Sequence, residues 1–389
     1  MNRFLPVYLA AAVIAIAAPV ATAQSAYDVC LQGYEGLIPY SGQTTAEMRA
    51  SATAFLNTLT SAQKTTCNLA VDSNAWQQWT NLPGERSEGL KIVNMSEASM
   101  RAAHVMFQSS LSTAGYKKAT GAMLAENYVS GGSTGSYWVT VYGNPATDTK
   151  WGYQLEGHHY TANVIVVDDQ MTITPSFFGI EPVRFTLTHT TGTTEAVRPY
   201  SGIIDTSHTL VQSIGSSAVL SSTYQQFTST VGGTYNTQSL PYIGVPGSAM
   251  TTAQKATFMG LITEYLGSMP DAYANAQLAE VQASLDTTYF AWKGGTTNAD
   301  TQNWYFRIHG PDIFVEAFND TGIGGSGSFN HFHSVMRDPN NDYGVVFPVP
   351  EPSAALAVLG SLAVVARRNR RQGRGRRTGS ETVKGTSAP

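Results

Sequence analysis

Two blocks of alternating β-pattern, separated by helical sequence, constrain this fold the most. In the first, "WGYQLEGHHYTANVIVVDDQMTITPSFFG", Asp168-Asp169 forms a turn between two strands. The second, "NWYFRIHGPDIFVEAFND", is a hairpin that turns at Gly310-Pro311-Asp312. Strands need paired neighbours, and hairpins pair antiparallel. We therefore expect an α+β fold, one large domain in which two helical blocks accompany antiparallel strands that come together from both halves of the chain.

The remaining body carries helical periodicity, with apolar residues recurring every three or four positions. Thr60 or Ser61 is a suitable N-cap for one helix, and the similar segments "TSAQKTT" and "TTAQKAT" both suit helix starts capped by threonine. Gly115 is predicted to end a helix. Three stretches have the helical pattern: 27–129, 203–230 and 251–290.

The charge distribution argues against a nucleic-acid partner. Charged residues make up only 13% of the chain, and the formal net charge is −4. Eight of the 23 Lys and Arg residues follow Ala366, so residues 24–349 hold 14 basic and 25 acidic side chains, a net charge of −11. An acidic body repels nucleic acid but is compatible with cations, metal ions or neutral polymers.

The first 23 residues have the pattern of a secretory signal peptide. Arg3 supplies the positive charge, residues 5–20 the apolar core, and Ala21-Thr22-Ala23 an A-x-A cleavage site before Gln24. The alternative is an uncleaved membrane anchor. We expect export, with residues 24–347 forming the exported domain.

Export bears on the two cysteines, Cys30 and Cys67. In an oxidising compartment they can form a disulfide that ties the mature N-terminus to the first helical region. The alternative is two separate buried thiols.

Residues 348–389 have the three parts of a sorting signal. Pro350-Glu351-Pro352 precedes a short apolar run, Ala354 to Ala366, and an arginine-rich end. This order resembles the PEP-CTERM signal. The resemblance implies recognition by an exosortase in a Gram-negative bacterium, transient membrane association of the tail, and delivery to the periplasm, cell surface or extracellular matrix. The alternative is an ordinary tail anchor.

The histidines predict a metal site. His331 and His333 are two residues apart, so on a strand both point to one face, as in many metal half-sites. His158 and His159 are adjacent, so on a strand at most one of them joins the site. Glu316 lies on the preceding hairpin and completes the candidate ligands for a divalent ion, of which zinc is one. The alternative is a structural or substrate-contacting role for these imidazoles.

Arg337, Asp338 and Asp342 follow the histidine strand and are candidate catalytic residues. Arg337 is able to grip an anionic substrate group. The alternative is an internal arginine–aspartate bridge that fixes the loop. No nucleophile elbow, phosphate-binding loop or dinucleotide motif occurs in the sequence.

These segments together resemble the bacterial and fungal domain of unknown function 3500 proteins. The resemblance rests on "WTNLPGERSEGLKI", "SSLSTAGY", "VYGNPATDTKWGYQLEGHHYTANVIVVDDQMTITPSFFGIEPV", "FAWKGG", "WYFRIHGPDIFVEAFND" and "HFHSVMRDPNNDYG", from about Ser61 to Gly344. It implies a single exported domain that needs both halves, and a carboxylate-bearing strand beside His331, matched here by Glu316. It implies no activity. The family's polar signature falls on the eight candidates named above: His158, His159, Glu316, His331, His333, Arg337, Asp338 and Asp342.

Two functions fit these features. The first is an exported metal-dependent hydrolase with a histidine-rich site and an unknown small-molecule or polymer substrate. The second is a non-catalytic protein of the cell surface or exopolysaccharide matrix, whose histidines and aromatic residues are structural or form a ligand cleft.

Overall fold

A computed structural model describes residues 23–218, 237–297, 302–320 and 331–347. The helices within them are Ala23–Tyr34 (α1), Thr45–Asn57 (α2), Ser61–Cys67 (α3), Glu97–Ser110 (α4), Thr113–Ala125 (α5), Ser201–Ile214 (α6), Thr252–Leu266 (α7) and Asp271–Ala283 (α8). The strands are Asn68–Leu69 (β1), Leu90–Lys91 (β2), Tyr137–Tyr142 (β3), Lys150–Gly157 (β4), Tyr160–Val167 (β5), Gln170–Thr172 (β6), Ser176–Ile180 (β7), Phe185–Thr188 (β8), Thr194–Val197 (β9), Val245–Pro246 (β10), Tyr289–Gly294 (β11), Trp304–His309 (β12), Phe314–Asp320 (β13) and His331–Arg337 (β14).

One large sheet combines the two β-patterned blocks. Its order is β1-β3-β4-β5-β7-β14-β13-β12-β11-β10, with β2 added beside β3 and β6 beside β5. The halves of the chain meet where β14 pairs antiparallel with β7, placing His333 opposite Gly179. Strands β8 and β9 form a separate hairpin. The predicted α+β class is therefore confirmed, and so is the meeting of strands from both halves.

Both predicted hairpins are present. Strands β5 and β6 pair around the turn at Asp168, which has a positive φ of 53°. Strands β12 and β13 pair across Gly310-Pro311-Asp312, and the segment that contains both histidines of the motif is strand β14. Period-two alternation with turn residues was sufficient to predict the two hairpins.

The helix predictions are confirmed at two caps and wrong at one end. Thr60 and Thr251 each cap a helix through a complete capping box. Gly115 does not end a helix, because α4 stops at Ser110 and Ser112 caps α5 by accepting a hydrogen bond from the Gly115 amide. Residues 68–96, inside the predicted first helical block, form short strands, turns and two short 3-10 helices instead of α-helix.

The sheet has one apolar and one polar buried face. Helices cover the apolar face, where Tyr265 of α7 hydrogen-bonds Ser334 of β14 at 2.8 Å. Alternation along the paired strands places a row of polar side chains on the opposite face. These buried residues are Gln154, Glu156, Thr161, Asn163, Arg307, Glu316 and His333. Burying so many polar groups is costly unless they are paired, so this face is a candidate location for a functional site.

The cysteines are separate buried thiols, the second of the two alternatives. Cys30 donates toward the carbonyl of Thr120 and Cys67 toward the carbonyl of Val139. Within the described ranges, no helix is both long and apolar enough to span a bilayer. The predicted signal peptide before Ala23 and the predicted sorting signal after Phe347 lie outside those ranges.

Candidate metal centre

His158 and His159 form the two-residue connection between β4 and β5. Strand β4 ends at Gly157 and β5 begins at Tyr160, so the histidines are in a turn rather than in a strand. Their rings stack with centroids 3.8 Å apart. The strand premise behind the expectation that at most one of them joins the site is therefore wrong, because strand alternation does not apply to turn residues.

His331 of β14 meets this turn from the other half of the chain. The Nε2 atoms of His159 and His331 lie 3.0 Å apart, and one ligand atom from each of His158, His159 and His331 lies within 4.8 Å of the others. In a tetrahedral zinc site with Zn–N bonds of about 2.05 Å, ligand nitrogens are roughly 3.3 Å apart. Small ring movements would therefore place the three nitrogens around one ion.

Glu126 contacts both imidazole rings of the His158-His159 turn. This carboxylate follows α5, is only 3% exposed, and accepts a hydrogen bond from Nδ1 of His159. It also lies 3.4 Å from Nδ1 of His158. A carboxylate on one ring nitrogen fixes the tautomer and leaves the other nitrogen as a ligand, as in carboxylate–histidine–zinc triads. Sequence reasoning missed Glu126 because it lies far from the histidines in the sequence. The one signal that could have indicated it is the position of a carboxylate directly after the buried end of α5.

Gly179 creates the space in which two of the rings fit. A Cβ atom at this position would lie 3.0 Å from Cδ2 of His333 and 3.1 Å from Cδ2 of His159. The His333 ring lies 4.1 Å from the His331 ring, and its Nε2 is buried without a hydrogen-bond partner among the described residues. The structure thus brings His333 beside the cluster, next to its three potential ligands.

The local pKa values favour neutral imidazoles. Burial, with help from His159 and His158, lowers the pKa of His331 to about 3. Burial and the neighbouring imidazoles also hold the pKa of His333 well below its usual value. Burial raises the pKa of Glu126, but hydrogen bonds from His158 and His159 outweigh it and lower that pKa to about 2. At neutral pH His331 and His333 therefore offer unprotonated nitrogens near an ionised carboxylate, the forms that metals require.

The cluster opens into a cleft of about 400 Å³. His158, His331, Glu126 and Glu181 line one part of it. The 83–91 segment, the 129–132 loop and Trp138 contribute the remaining walls. A ligand set that faces such a space can keep one coordination position for water or substrate, as catalytic zinc sites do.

Glu316 lies on the same sheet face but is bound elsewhere. It is opposite Val335 on β14 and Arg307 on β12. Its Oε1 accepts hydrogen bonds from Arg307, at 2.8 Å from Nη2, and from the hydroxyl of Tyr305. The described contacts thus pair Glu316 with a buried arginine rather than with the three histidines.

Arg337, Asp338 and Asp342 lie at the far end of β14. Arg337 follows His331 by six positions, about 20 Å along a strand. Arg337 donates to Asp342 at 2.8 Å, and Asp342 also accepts from the Asp338 amide. Asp338 accepts from the amides of Asn340 and Asn341. These contacts fix the loop internally, as in the bridge alternative above.

One comparison assigns the chain to a family. The model of the family described as "Protein of unknown function (DUF3500)" matches residues 41–345. The chain belongs to the DUF3500 family. Searches of curated proteins and of solved structures found no match. The DUF3500 match covers both halves of the sheet and every residue of the histidine cluster.

Proposed function

We propose that this DUF3500 protein is a metal-dependent hydrolase. The observation that carries the proposal is the convergence of His158, His159 and His331 beside an open cleft, which His158 and His331 line. Three imidazoles with one open position are a ligand set that suits Zn²⁺. Bound there, such an ion would lower the pKa of a water molecule and polarise a substrate carbonyl or phosphoryl group.

The chain's own groups have separate parts in this proposal. Glu126 orients His159 and offsets the positive charge of the ion. Glu181 lines the cleft with a carboxylate that lies 3.9 Å from Nδ1 of His331. It is therefore placed to accept a proton from a nucleophilic water molecule.

Metal binding is tested first. Purified protein should retain about one zinc ion per chain after dialysis, measured by mass spectrometry of the metal. Titration calorimetry on the metal-free protein should show that His331→Asn weakens zinc binding by at least about hundredfold. His189→Asn is the matched control, because His189 also contacts a glutamate but lies outside the cluster. Equal zinc affinities for the two variants would contradict the proposal.

Catalysis is tested next on chromogenic esters, amides, phosphoesters and glycosides. Zinc-dependent turnover of one class, lost in His331→Asn, is the expected result. Tight zinc binding without turnover of any class would instead favour the non-catalytic ligand-binding protein, since the cleft and the cluster would remain without a reaction.

We further propose, from the sequence alone, that the protein is exported and sorted to the cell surface. The signal-like residues 1–23 and the Pro-Glu-Pro, apolar and arginine-rich parts of residues 348–389 support this. An exosortase is then the partner of the tail. Expression in a Gram-negative host that has an exosortase should give a surface product that lacks the tail, and deletion of residues 348–389 should release the body. An intact, cytoplasmic product would contradict this proposal.

A further inference from the structure

We infer that the cleft beside the histidine cluster binds an anionic oxygen group, a carboxylate or a phosphate, through Lys91. This inference rests on the proposed function for the idea that the bound group belongs to a substrate. Lys91 lies on β2, directly opposite Trp138 of β3. Trp138 in turn lies opposite Glu156, two residues before His158. With strands about 4.8 Å apart, Lys91 is about 10 Å from this end of β4.

The two cations in the cleft wall differ in how firmly they are held. Arg86 contacts Glu156 at 2.5 Å and donates to the carbonyls of Thr80, Leu82 and Gly84. These contacts make Arg86 a structural part of the 80–86 loop. The ammonium of Lys91, in contrast, has Glu85 as its single hydrogen-bond partner among the described residues.

In the Lys91–Glu85 ion pair, a bound anion can replace the Glu85 carboxylate. The Lys91 side chain is 19% exposed and its Nζ lies 4.7 Å from the Trp138 ring centroid, so the indole holds the cation in the cleft. The Glu85 side chain is 76% exposed. Exposed ion pairs contribute little stability, so a substrate anion can displace Glu85 at low cost. Glu85 thus occupies the position of the substrate's own carboxylate or phosphate.

The other charges in the cleft direct an anion to the Lys91 end. Glu126 and Glu181 line the cleft near the histidines. Their negative charge disfavours an anion there in the absence of metal. The geometry therefore predicts a substrate that places its scissile group at the histidines and its anionic group at the Lys91 end of the cleft, beside Trp138.

Inorganic phosphate and acetate are suitable probes, titrated by calorimetry into the full-length, metal-free protein. Lys91→Met keeps the apolar stem and should weaken binding of both anions about tenfold, the loss expected for one charge-assisted hydrogen bond of about 1.4 kcal/mol. Glu85→Gln removes the internal competitor and should strengthen binding severalfold. The ratio of the two wild-type affinities indicates whether phosphate or carboxylate is preferred.

The matched controls are Lys255→Met and Asp286→Asn. Lys255 and Asp286 form a 2.5 Å pair that is 33% and 66% exposed and does not line this cleft. Both should leave anion affinity within about twofold of wild type, as expected for an exposed pair without a role in the cleft. Unchanged anion binding in Lys91→Met, or no gain in Glu85→Gln, would overturn the inference.

A zinc titration of the same proteins separates this inference from the proposed function. Zinc affinity should be the same in wild type and Lys91→Met. If zinc binds but the anion titrations are insensitive to Lys91, the anion site is refuted and the metal centre stands. If the anion pattern holds but zinc does not bind, the hydrolase proposal is refuted and the anion site stands as a binding site.

Discussion

Replacing Glu126 by glutamine tests how the fold orients the proposed metal ligands. Glutamine retains the size of the side chain but removes the charge that faces His158 and His159. It can also present its amide nitrogen to Nδ1 of His159, which would favour the wrong imidazole tautomer. The substitution therefore disturbs the orientation and basicity of a ligand without removing any ligand.

The expected loss of zinc affinity is tenfold to hundredfold. Changes of this size are typical when the carboxylate partner of a zinc-bound histidine is lost, and they correspond to about 1.4 to 2.7 kcal/mol. The upper part of the range applies here because Glu126 is only 3% exposed, so water cannot replace it readily. A histidine ligand removed outright should cost more.

Calorimetric zinc titration at neutral pH measures this effect, with competition by a chelator where binding is tight. Glu35→Gln is the control, because Glu35 accepts a 2.9 Å hydrogen bond from His189 in a similar carboxylate–histidine pair outside the cluster. Equal affinities for Glu126→Gln and wild type would refute the role given to Glu126. A similar loss in Glu35→Gln would show that the effect is not specific to the site.

Three further predictions concern packing, stability and pH. Gly179→Ala should weaken zinc binding and lower the unfolding free energy by about 1 to 3 kcal/mol, because the new Cβ atom would press on the rings of His159 and His333. Unchanged zinc affinity and unchanged stability would contradict this close packing. Arg337→Met should lower the unfolding free energy by about 3 kcal/mol in chemical denaturation, because Asp342 loses this cation. Zinc affinity should stay within about twofold of wild type. A large loss of zinc affinity in a folded variant would show that Arg337 contributes to the metal site. The third prediction concerns pH: His331 has a pKa of about 3 in the folded state and an ordinary value near 6.5 in the unfolded state. The unfolded state therefore takes up a proton first as the pH falls, so the stability of the fold decreases below about pH 6.5. At pH 5 the loss of unfolding free energy amounts to about 2 kcal/mol for the metal-free protein. The denaturation midpoint of His331→Asn should therefore fall less steeply with decreasing pH than that of wild type. An identical fall in the two proteins would contradict the low pKa of His331.

The sequence predicted the β framework of the site well. The spacing of His331 and His333 places both rings on one face if the segment is a strand, and the structure shows this segment as strand β14. The expectation that strands from both halves come together is met by the pairing of this strand with β7, a partner that the sequence did not specify. Periodicity and turn residues act locally, so they indicated the hairpins but not which strand pairs with which.

The details of the site depended on tertiary contacts that periodicity does not encode. Whether His158 and His159 belong to a strand or a turn depends on β4 ending at Gly157, a difference of two residues. Glu126 reaches the histidines from a helix end more than 30 residues earlier in the chain. The cleft wall at 83–91 lies in a segment predicted to be helical, where capping and packing override a weak helical pattern.

X-ray absorption at the zinc edge tests the central claim most directly. For the zinc-loaded protein it should show about three imidazole nitrogens and at least one further oxygen at about 2.0 to 2.1 Å, and His331→Asn should lose this signature. A protein that retains no zinc, or a zinc environment that is unchanged in His331→Asn, would contradict the claim that His158, His159 and His331 form a metal centre.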